Sequence, residues 1–220
     1  MVGTTYKKTL IHDMNTKKTI NLITGGAGFI GSNLINYLLE KDEKIICIDD
    51  LSSGSINNLS KWINETNFTF IEKDITEFID IEADKIWHLA CPASPAKYKL
   101  HPIKTLKTGF LGTLNMLDLA KKYNAKFFLA SSSEIYGDNY TDDINNGNYK
   151  KIVNPFNSRS CYAESKRVSE TLCYQYKETV DLKIARIFNS YGPNMLLDDG
   201  RAISNFIKQG LIKEPLTIYG

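Results

Sequence analysis

The segment that most constrains this chain is Thr24-Gly25-Gly26-Ala27-Gly28-Phe29-Ile30-Gly31. Before it stands a short β-rich run at residues 19–23. After it, residues 29–40 carry apolar side chains at helical spacing: Ile30, Leu34, Tyr37 and Leu38. Glycines at 25, 28 and 31 make the backbone itself the working surface of the turn. Gly25 permits a tight turn, Gly28 lets the main chain approach a pyrophosphate, and Gly31 allows the helix to pack closely against the strand. The first N–H groups of the helix then face the phosphates. A glycine trio alone is a weak signal, and the strand before it and the helix after it turn it into a dinucleotide-binding element.

Beyond this turn, strand-like and helix-like patterns alternate. Strands are expected at 44–48, 68–71, 85–90, 126–130 and 183–187, and helices at 103–123, 162–176 and 202–211. The long helical pattern sets Leu106, Phe110, Leu114, Leu117 and Ala120 on one stripe, interrupted by Gly109 and Gly112. Alternation of this kind implies right-handed βαβ crossovers and a parallel sheet. The expected fold is therefore α/β, a Rossmann-type doubly wound parallel sheet over residues 19–190. Residues 1–18 read as a polar arm, with Met14 as a possible working start, and 191–220 as the beginning of a second, substrate-binding lobe. Residues 138–160, rich in Asn, Asp and Lys, read equally as a substrate flap or a plain surface loop.

Composition narrows the class. A formal net charge of +2 with only isolated lysine pairs argues against nucleic acid as a partner. No apolar run is long enough to span a membrane, and residues 1–18 lack a signal-peptide core, so a cytoplasmic protein is expected. Four cysteines without CxxC spacing and three scattered histidines give neither a metal site nor a disulfide framework. Cys47, inside the run IICI, reads as a core residue.

Two further patterns carry chemistry. The second strand ends at Asp49, where a carboxylate accepts from ribose hydroxyls and repels a 2′-phosphate, favouring NAD over NADP. Asp74, after the third strand, is placed either to meet the adenine edge or as an ordinary turn residue. Tyr162-Ala163-Glu164-Ser165-Lys166 puts a phenol and an ammonium on one helix face. A phenol with a pKa of about 10 is a poor base at neutral pH, and a neighbouring cation favours its ionised form. Tyr162 could then take a proton from a substrate hydroxyl. Upstream, Ser131-Ser132-Ser133-Glu134 offers a hydroxyl to hold the same oxygen.

Taken together, TGGAGFIG, SSSEIYGD, YAESK and ARIFNSYGP resemble the extended short-chain dehydrogenase/reductases. HLACPASP, HPIKTLKT, GTLNML and DGRAISNFI resemble one branch of that family, the UDP-glucuronate decarboxylases, also called UDP-xylose synthases. The resemblance runs from about Ile20 to Gly220. It implies NAD as cofactor, held by Gly25, Gly28, Phe29, Ile30, Gly31, Asp49, Asp50, Ser53 and Gly54, then by Asp74, Ile75, Leu89, Ala90 and Thr108, and by Tyr162, Lys166 and Arg201. It implies Tyr162, Lys166, Ser132 and Glu134 as catalytic residues, and Pro92, Ser94, Lys107, Glu134, Tyr176 and Asn189 on the substrate side. For Arg201 a surface salt bridge is an equal reading, and Glu134 has a structural alternative. Dehydratases of the family place Asp-Glu after the catalytic hydroxyl, whereas this chain has Ser133-Glu134, and its epimerases generally lack the glutamate. A hydroxyl plus one carboxylate is the decarboxylase pattern, with Ser132 where threonine is common. The resemblance further implies a UDP-sugar substrate and a homodimer built on the helices at 103–123 and 162–176, whose apolar stripes read equally as core. Family members continue past Gly220 into a substrate lobe, so a truncated chain is expected here.

Overall fold

The computed structural model describes residues 18–137 and 154–218. All but the last residue of the expected 1–18 arm, and most of the expected 138–160 loop, lie outside them. Six strands form one sheet: β1 (Ile20–Thr24), β2 (Lys44–Asp49), β3 (Phe68–Glu72), β4 (Lys85–His88), β5 (Lys126–Ser132) and β6 (Leu182–Ile187). Every pairing is parallel, in the order β3-β2-β1-β4-β5-β6. This is the doubly wound order in which the chain reverses its direction of travel between β1 and β4, opening a crevice at their carboxyl ends. The strands fall within two residues of their expected places. β4 stops at His88 because Leu89 and Ala90 leave the ladder to wrap the exit of β1, and β5 runs on to Ser132.

The helices are α1 (Phe29–Leu39), α2 (Pro95–Leu100), α3 (Pro102–Lys107), α4 (Thr113–Tyr123), α5 (Ser160–Tyr176) and α6 (Ala202–Leu211). They cover both faces of the sheet. One core packs Met116, Leu117 and Ala120 of α4 and Cys173 of α5 against Leu22, Ile86, Phe127 and Leu129. The other packs Ile35 and Leu38 of α1, with Leu59 and Trp62, against Ile23, Ile45 and Cys47. A sheet buried on both faces explains why its inner strands read as continuous apolar runs. Among the described residues no helix is long and apolar enough to cross a membrane.

The expected single helix over 103–123 is divided. α3 and α4 are joined by a π-helical turn, Thr108–Gly112. The wider turn shifts the phase of the helix, so the stripe read from the sequence does not stay on one side. Leu117 and Ala120 are buried, whereas Ile103, Leu106 and Phe110 are exposed. The turn is also where α5 comes nearest. A Cβ on Gly109 would stand 2.5 Å from the Ser165 Cβ. The helix carrying Tyr162 therefore lies directly on the glycine backbone. α2, absent from the sequence reading, begins at Pro95, and α3 begins at Pro102, each proline at a helix start that needs no N–H.

A buried polar chain ties these layers together. His88 meets the Thr24 hydroxyl through Nδ1 at 2.9 Å and the Thr113 hydroxyl through Nε2 at 3.0 Å. Thr113 meets Ser169 at 3.0 Å, and Ser169 donates to the Gly109 carbonyl at 2.9 Å. Burial, reinforced by the charge on Lys166, pushes the His88 imidazole down to about 3. The folded value lies below the unfolded value of 6.5, so unfolding takes up a proton at acid pH. The contribution of His88 is complete above the unfolded value and is lost as pH falls toward the folded one. From this residue alone, urea unfolding should lose about 2 kcal/mol between about pH 7 and pH 5. His88→Gln should flatten that part of the slope, and an unchanged slope would contradict the buried neutral imidazole.

Candidate active site

One cleft opens at the carboxyl ends of β1 and β4. Its floor is the glycine turn. Gly25 has φ +74°, and a Cβ there would stand 2.7 Å from the Ala90 nitrogen, so both conformation and space require glycine. α1 starts at Phe29, and its N-cap, Gly28, has no side chain to cap it. Gly28, Phe29, Ile30 and Gly31 all line the cleft, which leaves the free N–H groups of an eleven-residue helix facing it. Such a helix start has the geometry to hold a diphosphate. Ser53 and Gly54 close over it from the loop after β2, held by Ser55 N–H donating to the Ala27 carbonyl at 3.0 Å.

Carboxylates border the β2–β3 end. Asp49 is buried and lines the cleft. Its two oxygens already accept N–H bonds from Ala27 at 3.0 Å and Leu51 at 2.9 Å. Burial raises its pKa, and those two bonds oppose the rise. Asp49 thus holds the glycine turn in shape, a structural duty beside the ribose role read from the sequence. Asp50 accepts from the Ser52 N–H at 3.0 Å and the Ser52 hydroxyl at 2.6 Å. Asp74 accepts from the Thr76 N–H and hydroxyl at 2.9 and 2.8 Å. Lys104 Nζ spans the two acids, 2.5 Å from Asp50 and 3.4 Å from Asp74. Burial would raise the Asp50 carboxyl, but the bonds from Lys104 and Ser52 outweigh it and hold its pKa below the usual range. Ile75, Leu89, Ala90 and Thr108 complete this half.

The other half is built on the end of β5 and the start of α5. Tyr162, nearly buried, stacks on Tyr98 of α2 with centroids 5.1 Å apart and planes 6° from parallel. Lys166 is buried, donates to the Ala130 carbonyl at 2.8 Å, and sits 5.8 Å from the Tyr162 ring centre. Burial raises the phenol pKa, and Cys91 and Glu134 push the same way, while the Ser132 hydroxyl and Arg201 pull it down. The expectation that Lys166 sets the direction is therefore corrected: burial governs the phenol and raises its pKa. Ser132 accepts the Glu134 N–H at 3.2 Å, and the Glu134 carboxylate is ion-paired with Arg159. Behind β5, Ser131 donates to Glu170 at 2.5 Å, and Arg186 binds both Glu170 oxygens at 3.0 and 2.9 Å.

Pro92, Ser94, Asn189 and Arg201 also line the cleft. Ser94 donates to the Asp199 carbonyl at 2.6 Å, and Arg201 pairs with the Asp199 carboxylate at 2.9 Å, so for Arg201 the salt bridge and the cleft position coexist. Two expected residues lie elsewhere. Lys107 is exposed and does not line the cleft. It precedes Thr108 by one residue, which on a helix points it about 100° away. Tyr176 is fourteen residues past Tyr162 on the same helix, about 21 Å along its axis. Its hydroxyl bonds to Asp118 at 2.5 Å, and burial and that bond push its pKa up to about 12. Conversely, Lys104, Tyr98 and Arg159 line the cleft without having been singled out. For Lys104 a signal existed: it stands four residues before Thr108, on the same helix face.

Fold and cleft together define a Rossmann-type nucleotide-binding protein with a tyrosine–lysine pair beside its glycine turn. The family model for GDP-mannose 4,6 dehydratase matches residues 22–220. The chain belongs to that family, within the extended short-chain dehydrogenase/reductases. It is 49% identical over 201 residues to UDP-glucuronic acid decarboxylase 4 of Arabidopsis thaliana, covering 90% of this chain and 45% of that one. It is 51% identical over 200 residues to UDP-glucuronic acid decarboxylase 5 of the same plant, covering 90% and 58%. The chain spans about half the length of these curated relatives. Among solved structures it resembles UDP-N-acetylglucosamine 4-epimerase from Methanobrevibacter ruminantium, with a TM-score of 0.80, 30% identity, and coverage of 93% of this chain and 66% of that one. It also resembles dTDP-glucose 4,6-dehydratase from Streptomyces venezuelae, determined with NAD, with a TM-score of 0.76, 26% identity and coverage of 91% and 65%.

The double engagement of Asp49 has a measurable consequence. Asp49→Asn keeps one acceptor oxygen and turns an amide toward the second N–H. The cofactor-free chain should lose about 1–3 kcal/mol of stability, read by thermal unfolding, and an unchanged melting temperature would show that Asp49 does not brace the turn.

Proposed function

We propose that the chain is the nucleotide-binding and catalytic part of an NAD-dependent UDP-glucuronate decarboxylase that yields UDP-xylose. The observation that carries this reading is the grouping of Tyr162, Lys166, Ser132 and Glu134 in the same cleft as the uncapped start of α1. The similarity to UDP-glucuronic acid decarboxylases over 90% of the chain supports the substrate class. So does Ser133-Glu134, which leaves no second carboxylic acid after the catalytic hydroxyl for expelling water.

The cradle of Gly28, Phe29 and Ile30 suits the NAD diphosphate, and Asp49, Asp50 and Asp74 suit its adenosine side. Bound NAD supplies the acceptor and later the donor of the C4 hydride. Tyr162 takes the C4 hydroxyl proton as that carbon is oxidised, with Ser132 holding the oxygen and Lys166 offering its positive charge to the phenolate. The C4 ketone is β to the C6 carboxylate, so the C5–C6 bond breaks with loss of carbon dioxide and its electron pair forms an enolate. Glu134 orients the ring and a water near C5, where protonation gives the 4-keto-pentose. Reduction at C4, with Tyr162 returning its proton, gives UDP-xylose. Pro92, Ser94 and Asn189 line the sugar-nucleotide side. The exposed Ile103, Leu106 and Phe110 are read as a homodimer face and a cytoplasmic location goes with the reading.

The test is incubation with UDP-glucuronate and NAD, with products read by NMR. UDP-xylose is expected, and a C4 epimer or a dehydrated sugar would replace this reading with an epimerase or dehydratase. Tyr162→Phe should still bind NAD and lose turnover by a factor of at least about 100. Retained turnover would remove Tyr162 from the proton transfer.

A further inference from the structure

Lys104 is a cleft residue that the proposed reaction does not use. It projects from α3, one turn before Thr108, and spans the mouth of the cleft to the loops after β2 and β3. Three carboxylates border that end, Asp49, Asp50 and Asp74, and Lys104 is the cation among the lining residues there. The other cations of the cleft, Arg159, Lys166 and Arg201, belong to the Tyr162 end. At the ribose end of such a crevice a carboxylate rejects a 2′-phosphate and a cation accommodates one. This cleft holds both, joined at 2.5 Å.

We infer that the Asp50–Lys104 pair is the selector between cofactors with and without a 2′-phosphate: Lys104 is a phosphate-competent cation kept masked by Asp50 and, more loosely, by Asp74. The inference rests on the dinucleotide reading of the cleft. Asp49 borders the same end and is tied to the backbone N–H groups of Ala27 and Leu51, but among the described residues it forms no ion pair with Lys104, so it does not mask that cation. Asp50 is divided differently. One oxygen serves Ser52, and the other faces Lys104. The lysine side chain is 34% exposed and that of Asp50 is 25% exposed, so the pair is reachable by a ligand and sensitive to salt.

Asp50→Asn tests this, because the asparagine oxygen can keep both Ser52 bonds while the charge that masks Lys104 is removed. The 220-residue chain and its variants would be titrated calorimetrically with NAD and with NADP, with far-UV circular dichroism to verify folding. The unmodified chain should prefer NAD. Asp50→Asn should shift the NADP:NAD affinity ratio toward NADP by about fivefold at low salt, and the shift should shrink as ionic strength rises. It should vanish in the Asp50→Asn, Lys104→Met double variant and persist in Asp50→Asn, Lys104→Arg. A ratio unmoved by Asp50→Asn, or a shift that survives Lys104→Met, overturns the inference. Should Lys104→Met fail to fold, Lys104→Gln in the Asp50→Asn background takes its place, with the same outcomes deciding. NAD binding with an unaltered ratio defeats this inference alone, whereas no NAD binding by the unmodified chain defeats the cofactor reading and this inference with it.

Discussion

The site depends on how closely the exit of β1 runs past the exit of β4. Gly25 leaves no room for a side chain against Ala90, and Leu89 N–H donates to the Thr24 carbonyl at 3.1 Å. The Thr24 hydroxyl takes both His88 and the Ala90 N–H. Two strands that are far apart in sequence therefore end in a single fixed knot. The glycine turn, the axis of α1 and the Pro92–Ser94 segment all start from that knot. The glycine turn and the segment after β4 consequently share one frame of reference.

The second half of the site is fixed from behind. Lys166 is bound to the Ala130 carbonyl, Ser131 to Glu170, and Glu170 to Arg186 of the edge strand. Burial raises the pKa of Glu170, against the pull of the Ser131 bond. A half-buried carboxylate of this kind is tolerable only while its donors stay in place. The end of β5 and α5 are thereby locked together, which sets Ser132, Glu134, Tyr162 and Lys166 in one frame.

Much of the fold was legible because two periods, about 2 and 3.6, alternate along the chain. The glycine turn was legible because its duties are backbone duties that only glycine performs. What stayed hidden has a physical pattern too. α2 is six residues long and lacks an apolar stripe, so neither length nor periodicity announced it, and Tyr98, which it carries onto Tyr162, was hidden with it. The π turn at Thr108–Gly112 broke the helical phase, so a stripe correct on either side of it was false across it. Lys107 and Tyr176 came from resemblance to a family pattern. On the helices seen here, one points off the cleft and the other sits too far along the axis. Lys104 was within reach of the same helical arithmetic that placed Thr108.

That π turn also divides responsibilities along what would otherwise be a single rod. Before it, α3 shows Lys104 to the cofactor mouth and Ile103 and Leu106 to the outside. After it, α4 puts Met116, Leu117 and Ala120 into the core. No α3 side chain belongs to either apolar core, although Thr105 is fully buried where α3 lies against α5. The wider turn works as a joint: on one side of it the rod presents charge to the mouth of the cleft, and on the other it covers the sheet.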